Sequence, residues 1–196
     1  MGRAGVDVLV AKGSALAYDL YQVPEHRPRG DTDLLVRREE VEAARAAFLA
    51  AGFRESPRSG DEHGVRQTIF TRKDAHGIEH AYDVHWEVSN APAFSSALPF
   101  EEIRGRAIPL VRLGEQACGL APVDALLLAC IHRVAHHYDS ERLIWLVDID
   151  LLRERMSRRP PHRSVATGRL WRRGFACQRC SSVPTRAAPR SRIPFT

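Results

Sequence analysis

Two aspartates at the start of an apolar run constrain this chain more than any other feature. Residues 30–36 have the sequence Gly-Asp-Thr-Asp-Leu-Leu-Val, and the last three predict a buried strand. Because side chains alternate along a strand, Asp31 and Asp33 are expected on one face. A buried strand tolerates such a pair only if a cation neutralises it, and Mg2+ suits these oxygen ligands. The alternative is a turn at Gly30 and Asp31, with Asp33 on a solvated edge.

A second motif lies upstream, where the pattern predicts a strand at 6–11, a turn and then a helix at 15–21. The turn has the sequence Lys-Gly-Ser at residues 12–14. Gly13 lets the backbone approach a ligand, and Ser14 is a good helix N-cap whose neighbouring amides can hold phosphate. An ordinary capped helix start is the better interpretation of this dipeptide taken alone. The two motifs together favour a phosphate-binding site.

The order of these motifs resembles the nucleotidyltransferase superfamily with the DNA polymerase beta-like fold. Residues 82–86 (Tyr-Asp-Val-His-Trp) and 120–124 (Leu-Ala-Pro-Val-Asp) resemble one poorly characterised bacterial branch, the stand-alone nucleotidyltransferase-like proteins. The resemblance continues through residues 132–150, so it covers roughly residues 6–155. The interval between the two upstream motifs is longer than in compact superfamily members. Its insert, residues 22–29, fits this branch better than the small antitoxin-type members.

The resemblance implies an α+β fold, in which a small mixed β-sheet is flanked by helices and followed by a helical segment. Three acidic residues would be catalytic and would ligate Mg2+ or Mn2+: Asp31, Asp33 and Asp83. Three residues of the turn would bind the nucleotide: Lys12, Gly13 and Ser14. Two metals about 3.5–4 Å apart stabilise both the attacking and the leaving oxygen of a phosphoryl displacement, and three carboxylates suffice to hold them.

Asp83 also has two further interpretations. A carboxylate within hydrogen-bond reach of an attacking hydroxyl can deprotonate it, which would make Asp83 a general base. Alternatively, Asp83 lies on the solvent face of an alternating strand, a face that it shares with His85 and Glu87.

Histidines offer a second candidate chemistry. His132 and His136 stand four residues apart on a predicted helix, a spacing that can place two imidazoles on one metal, although no Glu follows His132 as in zinc proteases. The resembling branch carries histidine in this helix before a run matched here by residues 142–148. We expect the region to pack over the cleft and His85, His132 and His136 to contact the acceptor or the nucleotide. Helix-capping and surface histidines remain the alternative.

The chain is expected to form one domain with a helical appendage. Residues 1–110 are predicted to be the nucleotidyltransferase-like α/β core, and residues 111–156 a helical segment packed on it. The periodicity predicts helices at 38–51, 123–137 and 141–155, and strands at 67–72 and 80–88. No run approaches the roughly 20 apolar residues of a membrane span, and no secretory signal is recognised, so a cytoplasmic protein without a membrane partner is expected.

Residues 157–196 have a different composition, with ten Arg and no Asp, Glu or Lys. This Arg-, Pro- and Ser-rich tail carries a charge of +10, and because the net charge of the chain is +5, residues 1–156 carry −5. The pI of about 9.4 is therefore a property of the tail, and nucleic acid is not an expected partner of the folded part. Such a segment cannot bury enough surface to fold alone. It is interpreted as a disordered basic arm, a nucleic-acid tail or, as we favour, a stretch translated out of frame.

Two classes of function follow. The first is an enzyme that transfers a nucleoside monophosphate from a nucleoside triphosphate, with ATP the expected donor, to a hydroxyl of a protein or small-molecule acceptor. The second is a catalytically silent or regulatory domain of the same fold that binds a nucleotide or a partner. The presence of all three candidate aspartates favours the enzyme.

Overall fold

The computed structural model describes residues 5–56, 66–137 and 142–158, so the predictions for the tail concern residues that lie almost entirely outside it. The described residues form seven strands: β1 Val8–Ala11, β2 Thr32–Val36, β3 Arg54–Glu55, β4 Gln67–Lys73, β5 Glu79–His85, β6 Ile108–Pro109 and β7 Cys118–Gly119. They also form five α-helices: α1 Lys12–Asp19, α2 Val41–Ala50, α3 Phe100–Gly105, α4 Pro122–His137 and α5 Leu143–Arg158.

The strands form one mixed sheet in the order β3-β4-β5-β2-β1-β7-β6. Strand β2 lies at its centre, antiparallel to β1 and parallel to β5. In this register Asp33 lies opposite Ala11 on one side and opposite Asp83 on the other. The predicted α+β fold with a small mixed sheet is confirmed, and the register brings together residues from three separate segments of the sequence.

The apolar run of β2 is continuous because both faces of the sheet are covered. Leu34 and Val36 pack with Phe48 of α2 in one core cluster, whereas Leu35 packs with Leu128 of α4 in a second cluster on the opposite face. Asp33 shares the parity of Leu35, so alternation directs it toward the face that α4 covers. None of the helices in the described residues is both long and apolar enough to cross a membrane.

Helix α1 begins earlier than the sequence predicts. Its N-cap is Ala11, which has extended backbone and no side-chain capping bond, so Ser14 lies inside the helix and the prediction that it is the N-cap is wrong. Ser14 Oγ instead lies 3.1 Å from both the carbonyl oxygen of Asp31 and Thr32 Oγ1. These contacts tie α1 to the start of β2, which gives the hydroxyl of Ser14 a structural role other than capping.

Candidate active site

The candidate site lies where β1 passes into α1 beside the start of β2. Lys12 follows Ala11, the residue paired with Asp33, and its Nζ lies 2.7 Å from Asp33 Oδ1. His85, at the end of β5, places its Nε2 2.9 Å from the same oxygen. Asp33 is only 5% exposed. We call Asp31, Asp33, Asp83, Lys12 and His85 together the carboxylate cluster.

Three of these side chains lie close enough together to hold a metal ion. Ligand atoms of Asp33, Asp83 and His85 all lie within 4.8 Å of one another. Two carboxylates and an imidazole form a donor set that divalent metals accept. Asp31, the other predicted ligand, lies outside this group of three but lines the same cavity as Asp33 and Asp83.

The pKa values of the carboxylates differ according to their partners. Burial and the charges of Asp33 and Asp31 raise the pKa of Asp83 to about 6. Partial burial and the charge of Asp33 also raise the pKa of Asp31. Burial acts in the same direction on Asp33, but the hydrogen bond from His85 and the charge of Lys12 outweigh it and lower the pKa to about 2. The cluster therefore holds more negative charge than Lys12 balances, and a bound cation would relieve that repulsion.

Burial also acts on the imidazole of the cluster. Burial lowers the pKa of His85 even though the hydrogen bond with Asp33 acts in the opposite direction. The neutral ring is therefore favoured. A neutral imidazole is the form that ligates metal. The donor set and the excess charge together show that the residues present fit a divalent cation.

Gln67 orients Asp83, a role that the sequence does not predict. Gln67 lies at the start of β4, opposite His85 in the register, and its Nε2 donates to Asp83 Oδ2 over 3.4 Å. Asn90 Nδ2 in turn donates to Gln67 Oε1 over 3.2 Å, which fixes the direction of the amide. A neutral amide has no local sequence signal for such a role, since it depends on strand register.

The cluster opens into a cavity of about 760 Å3. Lys12 and Gly13 lie on the same side as the carboxylates, and α4 and α5 supply a largely apolar wall. His132 is part of that wall, with its ring edge-on to Trp145 at a centroid distance of 5.8 Å. His136 belongs to α4, but its side chain lies outside what the structure describes. The helical region thus packs over the cleft, and its described histidine lines the cavity.

Close packing against Arg27 favours a glycine at residue 13, which the sequence alone did not reveal. A Cβ at residue 13 would lie 2.9 Å from Nη1 of Arg27, whose guanidinium is buried against the turn. Arg27 Nη2 lies 2.7 Å from Asp148 Oδ2 of α5, and Tyr21 donates to the other oxygen of Asp148 over 2.8 Å. Burial and the bond to Asp148 raise the pKa of Tyr21. We call Tyr21, Arg27 and Asp148 the Arg27 clamp, because it holds the insert between the turn and α5.

Comparison with known proteins identifies the family of the chain and agrees with its fold. A family model described as uncharacterised nucleotidyltransferase matches residues 1–169. The fold is similar to the solved structure of the antibiotic-resistance factor ANT(2'')-Ia, with a TM-score of 0.53 and 12% sequence identity over 79% of this chain and 77% of that chain. No curated protein matches the sequence. Since the family model spans most of the chain, the protein belongs to this uncharacterised nucleotidyltransferase family, and nucleotidyl transfer from a nucleoside triphosphate is its general class of activity.

Proposed function

We propose that the protein transfers a nucleoside monophosphate from a nucleoside triphosphate, with ATP the expected donor, to a hydroxyl of a protein or small-molecule acceptor, and that it requires Mg2+ or Mn2+. The observation that carries this proposal is the convergence of Asp33, Asp83 and His85. Asp33 and Asp83 line the same cavity as Lys12 and Gly13. Asp33, Asp83 and His85 would hold the cation, with Asp31 beside them. Such an ion, when bound, stabilises charge on the transferring phosphoryl group.

The side chains of the cavity suit a triphosphate and an acceptor on opposite sides. Lys12 supplies an ammonium at the carboxylate edge, and Arg29 lies at the rim, where its guanidinium stacks 5.3 Å from the Tyr18 ring centroid. The facing wall contains Leu128, Ile144 and other apolar residues. An apolar wall opposite a few convergent polar groups is typical of pockets that bind small organic ligands.

Asp83 is the proposed general base. Its pKa of about 6 describes the metal-free cluster, and a bound cation lowers it, so the carboxylate is ionised at neutral pH and can accept a proton. Transfer forms a bond from the acceptor oxygen to the α-phosphorus and breaks the bond from the α-phosphorus to the bridging oxygen, so pyrophosphate leaves. The acceptor proton passes to Asp83, whose Oδ2 is held by Gln67.

The test is incubation of the full-length protein with each α-labelled nucleoside triphosphate, Mg2+ or Mn2+, and cell extract. We expect label to appear on a protein or small-molecule acceptor and to disappear with EDTA. Thermal melts of the same protein with millimolar Mg2+ or Mn2+ should show a higher midpoint, because a ligand of the native state stabilises it. A folded protein that binds triphosphate but transfers no label under any of these conditions would instead be the silent binding domain.

A further inference from the structure

Lys12 has an unusual backbone conformation for a residue with a side chain. Its φ is +48°, and among the described residues it is the only non-glycine with a positive φ. Residues that bear a Cβ occupy this region at an energetic cost, and residues with such strained backbone cluster at functional sites. The conformation occurs where β1 passes directly into α1, and it coincides with an ammonium that reaches into the carboxylate cluster.

The ammonium of Lys12 has a partner that a metal would also need. It lies 2.7 Å from Asp33 Oδ1, and the side chains of Lys12 and Asp33 are 17% and 7% exposed. His85 contacts the same oxygen. The hydrogen bond to Asp83, by contrast, comes from the neutral amide of Gln67. Lys12 therefore supplies the ammonium that contacts Asp33 within the cluster.

If Asp33 and Asp83 hold a divalent cation, contact between Asp33 and the ammonium of Lys12 becomes energetically unfavourable. Two cations a few ångströms apart in a partly buried site repel strongly, since the local dielectric is low. Lys12 has a flexible four-carbon stem and lines the cavity, so its ammonium can move away from Asp33 without unfolding the turn. The space that it would enter is the one proposed for the triphosphate.

We propose that Lys12 is an internal counter-ion of Asp33, which a divalent cation displaces and which then binds a phosphate of the triphosphate. This inference rests on the proposed function and adds a coupling between its two ligands. The metal alone must displace Lys12 and leave its ammonium without an anion, whereas the metal with triphosphate gives the ammonium a new partner. The coupling is reciprocal, because each ligand must change the affinity of the other by the same factor.

The first experiment needs no variant, because the sequence contains only two lysines, Lys12 and Lys73. Acetylation of the full-length protein by a limiting amine reagent, followed by mass spectrometry, measures both amines in one sample. We expect Mn2+ to raise the labelling rate of Lys12 several-fold and a non-hydrolysable triphosphate analogue added with Mn2+ to lower it again. Lys73, at the far end of β4 from Gln67, should be unaffected. A Lys12 rate that does not respond to Mn2+ would overturn the inference.

The second experiment compares Lys12→Met with Lys73→Met, each of which removes one positive charge. Lys12→Met should bind Mn2+ alone at least about fivefold more tightly and the analogue at saturating Mn2+ at least about fivefold more weakly, the lower end of usual coupling factors. A merely structural role for Lys12 would weaken both. If the parent, shown to be folded by circular dichroism, binds neither probe, the proposed function fails as well. If the parent binds both and Lys12→Met alters neither affinity, only the counter-ion inference fails.

Discussion

The carboxylate cluster and the Arg27 clamp lie beside the same cavity and both bury charge, but only the clamp is balanced. In the clamp, one guanidinium faces one carboxylate that also accepts a hydrogen bond from Tyr21. In the cluster, three carboxylates lie near one ammonium, and burial together with their mutual repulsion raises the pKa values of Asp31 and Asp83. A balanced pair positions elements of the fold, whereas excess charge destabilises the fold until a ligand neutralises it.

The largest expected effect comes from breaking the clamp. Arg27→Met leaves Asp148 buried without its cation, so we expect a loss of about 3–5 kcal/mol in the free energy of unfolding. Arg27→Met combined with Asp148→Leu should recover much of that loss, because neither charge is then unpaired. Urea unfolding of the parent and of each variant measures this. A single variant as stable as the parent would show that the clamp does not position α5.

The next effect is on activity and comes from the cluster. Asp33→Asn keeps the shape of the side chain but removes the charge that contacts both Lys12 and His85. We expect label transfer to fall about 10²–10³-fold, the usual cost of losing one preorganised electrostatic group. The metal-free fold should also become less stable, since the lowered pKa of Asp33 means that its charged form stabilises the native state. Transfer at the parental rate would exclude Asp33 from the reaction.

In metal-free protein near neutral pH, the charge of Asp83 should lower the stability of the fold, whereas the charge of Asp33 raises it. The pKa of Asp83 is about 6 in the fold and 3.8 ordinarily, so its contribution to stability is present below about pH 3.8 and is lost as the pH rises through about 6. Solvent screening of this half-buried group reduces the effect to roughly 1 kcal/mol. Asp83→Asn should remove that loss. Urea unfolding in EDTA at pH 4.5 and pH 7.5 tests this, and a parent and variant with the same pH dependence would contradict it.

The two strands that carry the carboxylate cluster, β2 and β5, could be predicted from the sequence because their signals are local. The apolar run after Asp33 identifies β2, and the Tyr-Asp-Val-His-Trp segment identifies β5, while the α+β fold was implied by the family resemblance that these motifs carry. The two-residue strands β3 and β7 were not predicted, since they are too short to show a period. The assignment of catalytic and nucleotide-binding roles remains a prediction.

Tertiary contacts account for what the sequence did not reveal. Ser14 has the residue type of an N-cap, but contacts with the start of β2 place its hydroxyl elsewhere. Gly13 suggested a close approach of ligand to backbone, whereas the structure shows a guanidinium from the insert packed against it. Gln67 became part of the site only through its register with β5. In each case the decisive partner is separated along the chain by an interval that no local pattern encodes.

The smallest expected effect comes from a carboxylate that lies just outside the cluster. Glu87 follows β5 at the same parity as Asp83 and His85, but its oxygen pairs with Arg66 and it does not line the cavity. Glu87→Gln should therefore leave label transfer and Mn2+ affinity unchanged and cost no more than about 1 kcal/mol in stability, as for other partly exposed ion pairs. It also removes one negative charge near the site, so it controls for long-range electrostatics in the Asp33 and Asp83 variants. If Glu87→Gln lowered transfer as much as Asp33→Asn, general charge rather than the geometry of the cluster would determine activity.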